Sequence, residues 1–194
     1  MSEDARVRCP WPTMGDPLYL NYHDEEWGVP VTDDRTIYEF LVLETFQAGL
    51  SWRTVLHKRE NFRRAFAGFD YRRVAEFGRR DVTRLLNDAG IVRNRAKIEA
   101  AITNARCLLE VRGESGTFSR YMWSWVRGKP LVNRMRSIKD YVPFSEEAAA
   151  WAKDLKKRGF KFLGPTVIYA HMQAVGMVND HVVDCFRYRE LADG

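Results

Sequence analysis

Apolar residues return at helical spacing along almost the whole chain, and nowhere do they alternate as a half-buried strand would. Between Thr36 and Ala48, the residues Ile37, Phe40, Leu41 and Ala48 share one helical face, with Asp33 and Asp34 offering caps in front of it. Gly49 interrupts the run, and Ser51 is placed to cap a helix carrying Val55, Leu56, Phe62 and Phe66. Asp81 opens a short helix with Val82, Leu85 and Leu86, closed at Gly90. The clearest stripe is Ile98, Ala101, Ile102, Ala105, Leu108 and Leu109. Gly113 to Gly116 reads as a turn before a helix with Phe118, Tyr121, Met122 and Trp125. Residues 128–143 read as a long loop, and Ser145 starts a further helix that ends at Gly159. The pattern predicts an all-α protein, and 194 residues with 45% hydrophobic content suit a single domain, 1–194.

Composition narrows the function classes. No apolar run reaches the roughly 18 residues that span a bilayer, so no membrane partner is expected. The charged start, Met1 to Arg8, does not read as a secretory signal, which points to a cytoplasmic protein. The net charge of +5 is modest, and many proteins with that charge bind no nucleic acid. Six Trp, eight Tyr and eleven Phe supply many stacking surfaces, most of which must be core; Trp123, Trp125 and Trp151 read that way. Three cysteines, an odd count, argue against a disulfide framework and leave metal ligation open. Cys107 falls on the apolar stripe and reads as core.

One residue breaks the first helix. Position 44 lies seven after Ile37 and three after Leu41, on the apolar face, yet it is Glu. A buried carboxylate either finds a partner or has its pKa raised. An arginine partner is one reading; a carboxylate lining a pocket for a polar or cationic ligand is the other. Trp52, just past the Ala48–Ser51 turn, is placed to wall such a pocket.

Two further patterns stand out. In Leu155–Thr166, two helical stretches flank a short loop with Gly159 and Gly164 at its ends and Lys156, Lys157, Arg158 and Lys161 around it. A hairpin of this kind, with its following helix to about residue 176, can offer backbone N–H groups to a DNA phosphate. A basic helix end followed by Gly is equally an ordinary C-cap. Near the chain ends, Cys9 and His23 precede His181 and Cys185, the last two at i, i+4 spacing on one helical face. Two Cys and two His suit a closed tetrahedral zinc site that would tie the termini together. The spacing is not that of a zinc finger, and a coincidental grouping is the alternative.

Together these motifs resemble the 3-methyladenine DNA glycosylase I family from about Cys9 to Cys185. The resemblance is carried by R-C-P-W at 8–11, D-P-L-Y-L-N-Y-H-D-E-E-W-G-V-P at 16–30 and L-E-T-F-Q-A-G-L-S-W at 43–52. K-K-R-G-F-K-F-L-G-P-T at 156–166 and N-D-H-V-V-D-C at 179–185 extend it. It implies a helix-hairpin-helix glycosylase fold, with one structural zinc ion held by Cys9, His23, His181 and Cys185. It implies a base pocket formed by Glu44 with Trp11, Tyr19, Tyr22, Trp27 and Trp52. Thr45-Phe46 departs from the smaller or polar residues of some members, which bears on base specificity.

The implied activity is hydrolysis of the N-glycosidic bond of 3-methyladenine in alkylated double-stranded DNA by a monomer, releasing the free base. An ionised Glu44 would accept a hydrogen bond from the flipped base and favour its cationic form, with Trp52 and Tyr22 stacking on it. Related hairpin glycosylases carry an Asp where this chain has Asn179, and an amide is no general base. Asp180 is one residue off and should point elsewhere, so no strand cleavage is expected. Leu50 is a wedge for the gap left in the duplex, or else a core residue capping the helix end. Arg93, Arg95 and Lys97 contact phosphates or solvate a helix face. A relative with another base specificity, excising or only binding its lesion, is the alternative.

Overall fold

The computed structural model describes residues 6–12 and 15–192. The chain is mostly helical: α1 (Pro17–Asn21), α2 (Asp34–Gln47), α3 (Trp52–His57), α4 (Arg59–Ala65), α5 (Tyr71–Ala75), α6 (Arg79–Leu86), α7 (Arg95–Ser115), α8 (Phe118–Ser124), α9 (Glu146–Lys157), α10 (Pro165–Ala174) and α11 (Phe186–Ala192). Among the described residues, no helix is long and apolar enough to cross a membrane.

α2 is the axis of the core. Asp33 caps it, accepting from the Thr36 amide at 2.8 Å, and Ile37 to Phe46 are all buried against α3, α7, α8 and α10. Asp34 is not a second cap for α2. Its buried carboxylate accepts the Phe118 and Ser119 amides and pairs with Arg112, fastening the start of α8.

The structure shifts several boundaries expected from the sequence. α6 starts at Arg79, with Asp81 in its first turn accepting the Gly78 amide at 3.1 Å, and it ends at Leu86 rather than Gly90. α7 runs through Gly113 to Ser115, and the break falls at Gly116, whose φ is +81°. One interior glycine costs about 1 kcal/mol, less than burying Val111 in the same turn contributes. The segment 128–143 is not all loop. Leu131–Val132 (β1) pairs in parallel with Val178–Asn179 (β2), and residues Ile138–Asp140 form one 3₁₀ turn. Two residues are too few to show an alternation in sequence.

The ends of the chain meet over α10. The Gly28 amide donates to the Gln173 carbonyl and that of Val31 to Val175, both at 3.0 Å. Gly176, at φ +72°, permits this crossing, since a Cβ there would collide with the backbone of Val29 and Pro30.

Candidate active site

A wide helical turn at Tyr22–Glu26 follows α1 directly; the Trp27 amide reaches back five residues to the Tyr22 carbonyl at 2.9 Å. The turn aims consecutive side chains into different places. Tyr22 faces a cavity, and His23 faces a cluster of cysteine and histidine.

The cavity, of about 250 Å³, is lined by Trp11, Tyr19, Tyr22, Trp27, Glu44, Gln47, Trp52, Ile138, Tyr141, Ala170 and Gln173. Its aromatic walls brace one another: Trp11 lies 5.4 Å from Tyr19 and 4.9 Å from Trp27, and Tyr22 lies 5.1 Å from Trp52 between ring centres. The indole N–H groups of Trp11 and Trp52 are buried without a hydrogen-bond partner among the described residues. Asp16 fixes two of the walls. It caps α1, which carries Tyr19, and accepts from His57 (2.8 Å) and Arg53 (2.5 Å) of α3, which begins at Trp52. His57 and Arg53 hold the Asp16 carboxyl down to about 2.

Glu44 is the cavity's carboxyl. It is 4% exposed, and among the described residues no arginine or lysine pairs with it. Burial pushes its pKa up to about 8. Burial thus favours the protonated form in the free protein, whereas the expectation of an ionised Glu44 concerns the base-bound state. Thr45 and Phe46 are fully buried and line none of the cavity. The Thr45 hydroxyl donates to the Leu41 carbonyl, and Phe46 packs 4.8 Å from Phe62. The departure at these two positions therefore lies in the core next to Glu44.

Four residues from the two chain ends converge beside the cavity. The ligand-capable atoms of Cys9, His23, His181 and Cys185 all lie within 4.8 Å of one another, and all four residues are buried. The sulfurs of Cys9 and Cys185 each stand 3.4 Å from His181 Nδ1, and Cys185 stands 3.6 Å from His23 Nε2. A tetrahedral ion with bonds of about 2.0–2.3 Å separates neighbouring sulfur and nitrogen donors by about 3.5 Å, so the donor set fits. The other ring nitrogens are held from outside. His23 Nδ1 pairs with Asp24 at 2.8 Å, and Asp24 also binds Arg8; His181 Nε2 lies 3.0 Å from the Trp27 carbonyl. Hydrogen bonds from Cys9, His181 and His23 pull the Cys185 thiol down, while the Cys185 neighbour and burial push that of Cys9 up.

α9 and α10 are joined by residues 158–164. Gly159 closes α9 with φ +92°: its amide donates to Lys156 and that of Phe160 to Leu155. Gly164 caps α10 ahead of Pro165. Lys161 and Phe162 are exposed at the tip. Leu50 is 43% exposed on the Gly49 turn, which removes the reading of it as a core cap. Arg93 and Arg95 are exposed, but Lys97 is buried and neither solvates a helix face nor faces solvent. Asn179 and Asp180 are both buried and outside the cavity wall; the Asp180 carboxylate accepts from Tyr169, Gln173 and Asn133, each at 2.7 Å. Trp151 is core as expected, and Trp123 and Trp125 are partly buried against it.

The profile of the methyladenine glycosylase family matches residues 11–188. The chain belongs to that family. It is 49% identical to DNA-3-methyladenine glycosylase 1 of Escherichia coli (strain K12) over 181 residues, 93% of this chain and 96% of the relative. A crystal structure of 3-methyladenine DNA glycosylase I superposes with a TM-score of 0.90 at 49% identity, covering 93% of this chain and 98% of the other. A variant of 3-methyladenine DNA glycosylase I in complex with 3-methyladenine superposes with a TM-score of 0.89 at 38% identity, covering 92% and 96%. Sequence reasoning had missed Gln47, Ile138, Tyr141, Ala170 and Gln173 in the glycosylase cavity. Ile138 and Tyr141 sit in the segment without periodicity, while Ala170 and Gln173 carried no motif; the spacing Glu44–Gln47 was the one available signal.

Proposed function

We propose that this chain hydrolyses the N-glycosidic bond of 3-methyladenine in alkylated double-stranded DNA and does not cleave the strand. The observation that carries this reading is Glu44, a buried carboxyl with no cation beside it among the described residues, set in an aromatic cavity. Methylation at N3 leaves the flipped adenine positively charged. Such a base supplies the missing counter-charge, so Glu44 releases its proton to solvent on binding and holds the cation as a carboxylate. Unmethylated adenine brings no charge and leaves Glu44 protonated. Tyr22 and Trp52, with Trp11, Tyr19 and Trp27, would surround the ring, at roughly 0.5–2 kcal/mol for each cation–π contact.

The bond from C1′ to the base then breaks with its electron pair leaving on the base. Free, neutral 3-methyladenine departs, the sugar cation takes up water at C1′, and the water proton passes to solvent. Among the described residues no lysine lines the cavity, so the reading includes no imine on the sugar. The same reading takes α9 and α10 as a helix-hairpin-helix that grips phosphate through Gly159, Lys161 and Gly164, with Leu50 as the wedge. Cys9, His23, His181 and Cys185 would hold one zinc ion, which when bound supplies a structural tie between the chain ends. The chain is read as one domain, acting as a monomer in the cytoplasm.

The test is release of 3-methyladenine from methylated duplex DNA, followed by chromatography for wild type and Glu44→Gln. Release by the wild type that falls about 100-fold or more in the variant supports the reading. No release from folded, metal-loaded wild type sends the reading to another lesion.

A further inference from the structure

Two buried polar side chains on α7 serve neither the cavity nor the cysteine–histidine cluster. Lys97 is 7% exposed, and its ammonium donates to the backbone carbonyls of Phe46 (3.0 Å) and Ala48 (2.5 Å). The last carbonyls of a helix have no partners of their own, and its negative end favours a cation. Lys97 therefore caps α2 from a neighbouring helix. Immediately beyond those carbonyls, Gly49 takes φ +84° and the Leu50 amide donates to Gln47 at 2.6 Å. This tight turn is what leaves Leu50 exposed.

Asn104 stands seven residues after Lys97, two turns along the same face of α7. It is 1% exposed. Its Oδ1 accepts the Lys161 amide at 2.7 Å, and its Nδ2 donates to the Lys161 carbonyl at 3.0 Å. One side-chain amide thus pairs both backbone groups of a hairpin residue, as a neighbouring strand would. Among the described residues, no hydrogen bond engages the amides of Phe162, Leu163 or Gly164, the next three along the chain. Each of the two α7 residues grips a loop purely through backbone atoms, and neither bond is needed to form α7 itself.

We infer that α7 gauges the DNA face: Lys97 and Asn104 are positioning residues that hold the Leu50 turn and the Lys161 hairpin at a fixed separation. Their offset is about 10 Å along the helix axis. The inference rests on Leu50 being the wedge and the hairpin being the phosphate grip. If either bond is lost, the wedge and the grip no longer fit one duplex together, while the base cavity stays intact.

The test compares Lys97→Met, which keeps the stem and removes the ammonium, with Asn104→Leu, which keeps the volume. Two affinities are measured: for a duplex carrying a tetrahydrofuran abasic analogue, and for free 3-methyladenine by tryptophan fluorescence. Each variant should bind the duplex about tenfold more weakly and the free base within about twofold of wild type. In a Leu50→Ala background, Lys97→Met should weaken duplex binding no further, while Asn104→Leu keeps its full effect. Parallel losses of both affinities, or effects of Lys97→Met that simply add to Leu50→Ala, would overturn the inference and leave both residues as fold stabilisers. If Leu50→Ala and Lys161→Ala themselves leave duplex affinity unchanged, the underlying reading of the DNA face fails instead. Should an apolar variant not fold, Lys97→Gln and Asn104→Ser keep part of the hydrogen-bonding capacity without a new charge and should show smaller losses in the same pattern.

Discussion

Two buried polar clusters lie back to back in this molecule, and what each leaves unmet differs. The cysteines and histidines at the chain ends are tied to one another and to partners outside, through Asp24, Arg8 and the Trp27 carbonyl. The cavity across the peptide is the opposite case. Among the described residues Glu44 has no charge partner, and the indoles of Trp11 and Trp52 carry orphan donors. Burying a polar group without a partner costs about 1–3 kcal/mol. The first cluster offers a donor set that suits a shape-holding ion; the second offers room and unmet polar groups suited to an organic ligand.

That contrast can be broken at several points. Cys185→Ser or His181→Ala should lower Tm by about 10 °C or more, read by calorimetry with metal content measured alongside. An equal loss from changing Glu44 would erase the distinction. Glu44→Gln should instead abolish most base release while leaving the fold as stable or more so. The sign comes from the pKa: the folded protein holds the Glu44 proton more tightly than the unfolded chain, so its stability falls as pH rises from about 4.5 to about 8. Gln does not titrate, so the variant's Tm should match wild type at pH 4.5 and exceed it by several degrees above pH 8. Trp52→Leu should weaken binding of free 3-methyladenine about tenfold by removing one stacking face. The smallest effect belongs to His171, buried beside Trp151 and held by burial down to about 3. Stability is lost as pH falls from about 6.5 toward 3, when the unfolded chain takes up the proton first. His171→Leu should shift the acid unfolding midpoint lower by a few tenths of a unit, which circular dichroism against pH would detect.

The helices and Glu44 were legible in the sequence because both rest on periodicity: a carboxylate on an apolar face is visible from the spacing of its neighbours. The four cysteine and histidine ligand candidates were visible as residue types, but their meeting depends on the crossing of residues 28–31 over α10, which has no local signature. Lys97 was misread for the opposite reason. It comes after exposed Arg93, just before α7, and exposed Arg95 at its start, and looks like a third exposed cation, yet its side chain turns in to the end of α2. Gln173 and Tyr141 reached the cavity wall by packing alone.

The wide turn at Tyr22–Glu26 constrains how the molecule can change. Tyr22 belongs to the cavity and His23 to the neighbouring cluster, so a single peptide unit is common property of the two. A turn that reaches back five residues holds one residue more than an α-helical turn, and removing that residue would swing the two side chains about 100° relative to the rest of the chain. Deletions here should therefore be lost from descendants of this chain even where each site separately tolerates substitution. Any drift in what the cavity accepts has to be made by changing side chains, never the length of this turn.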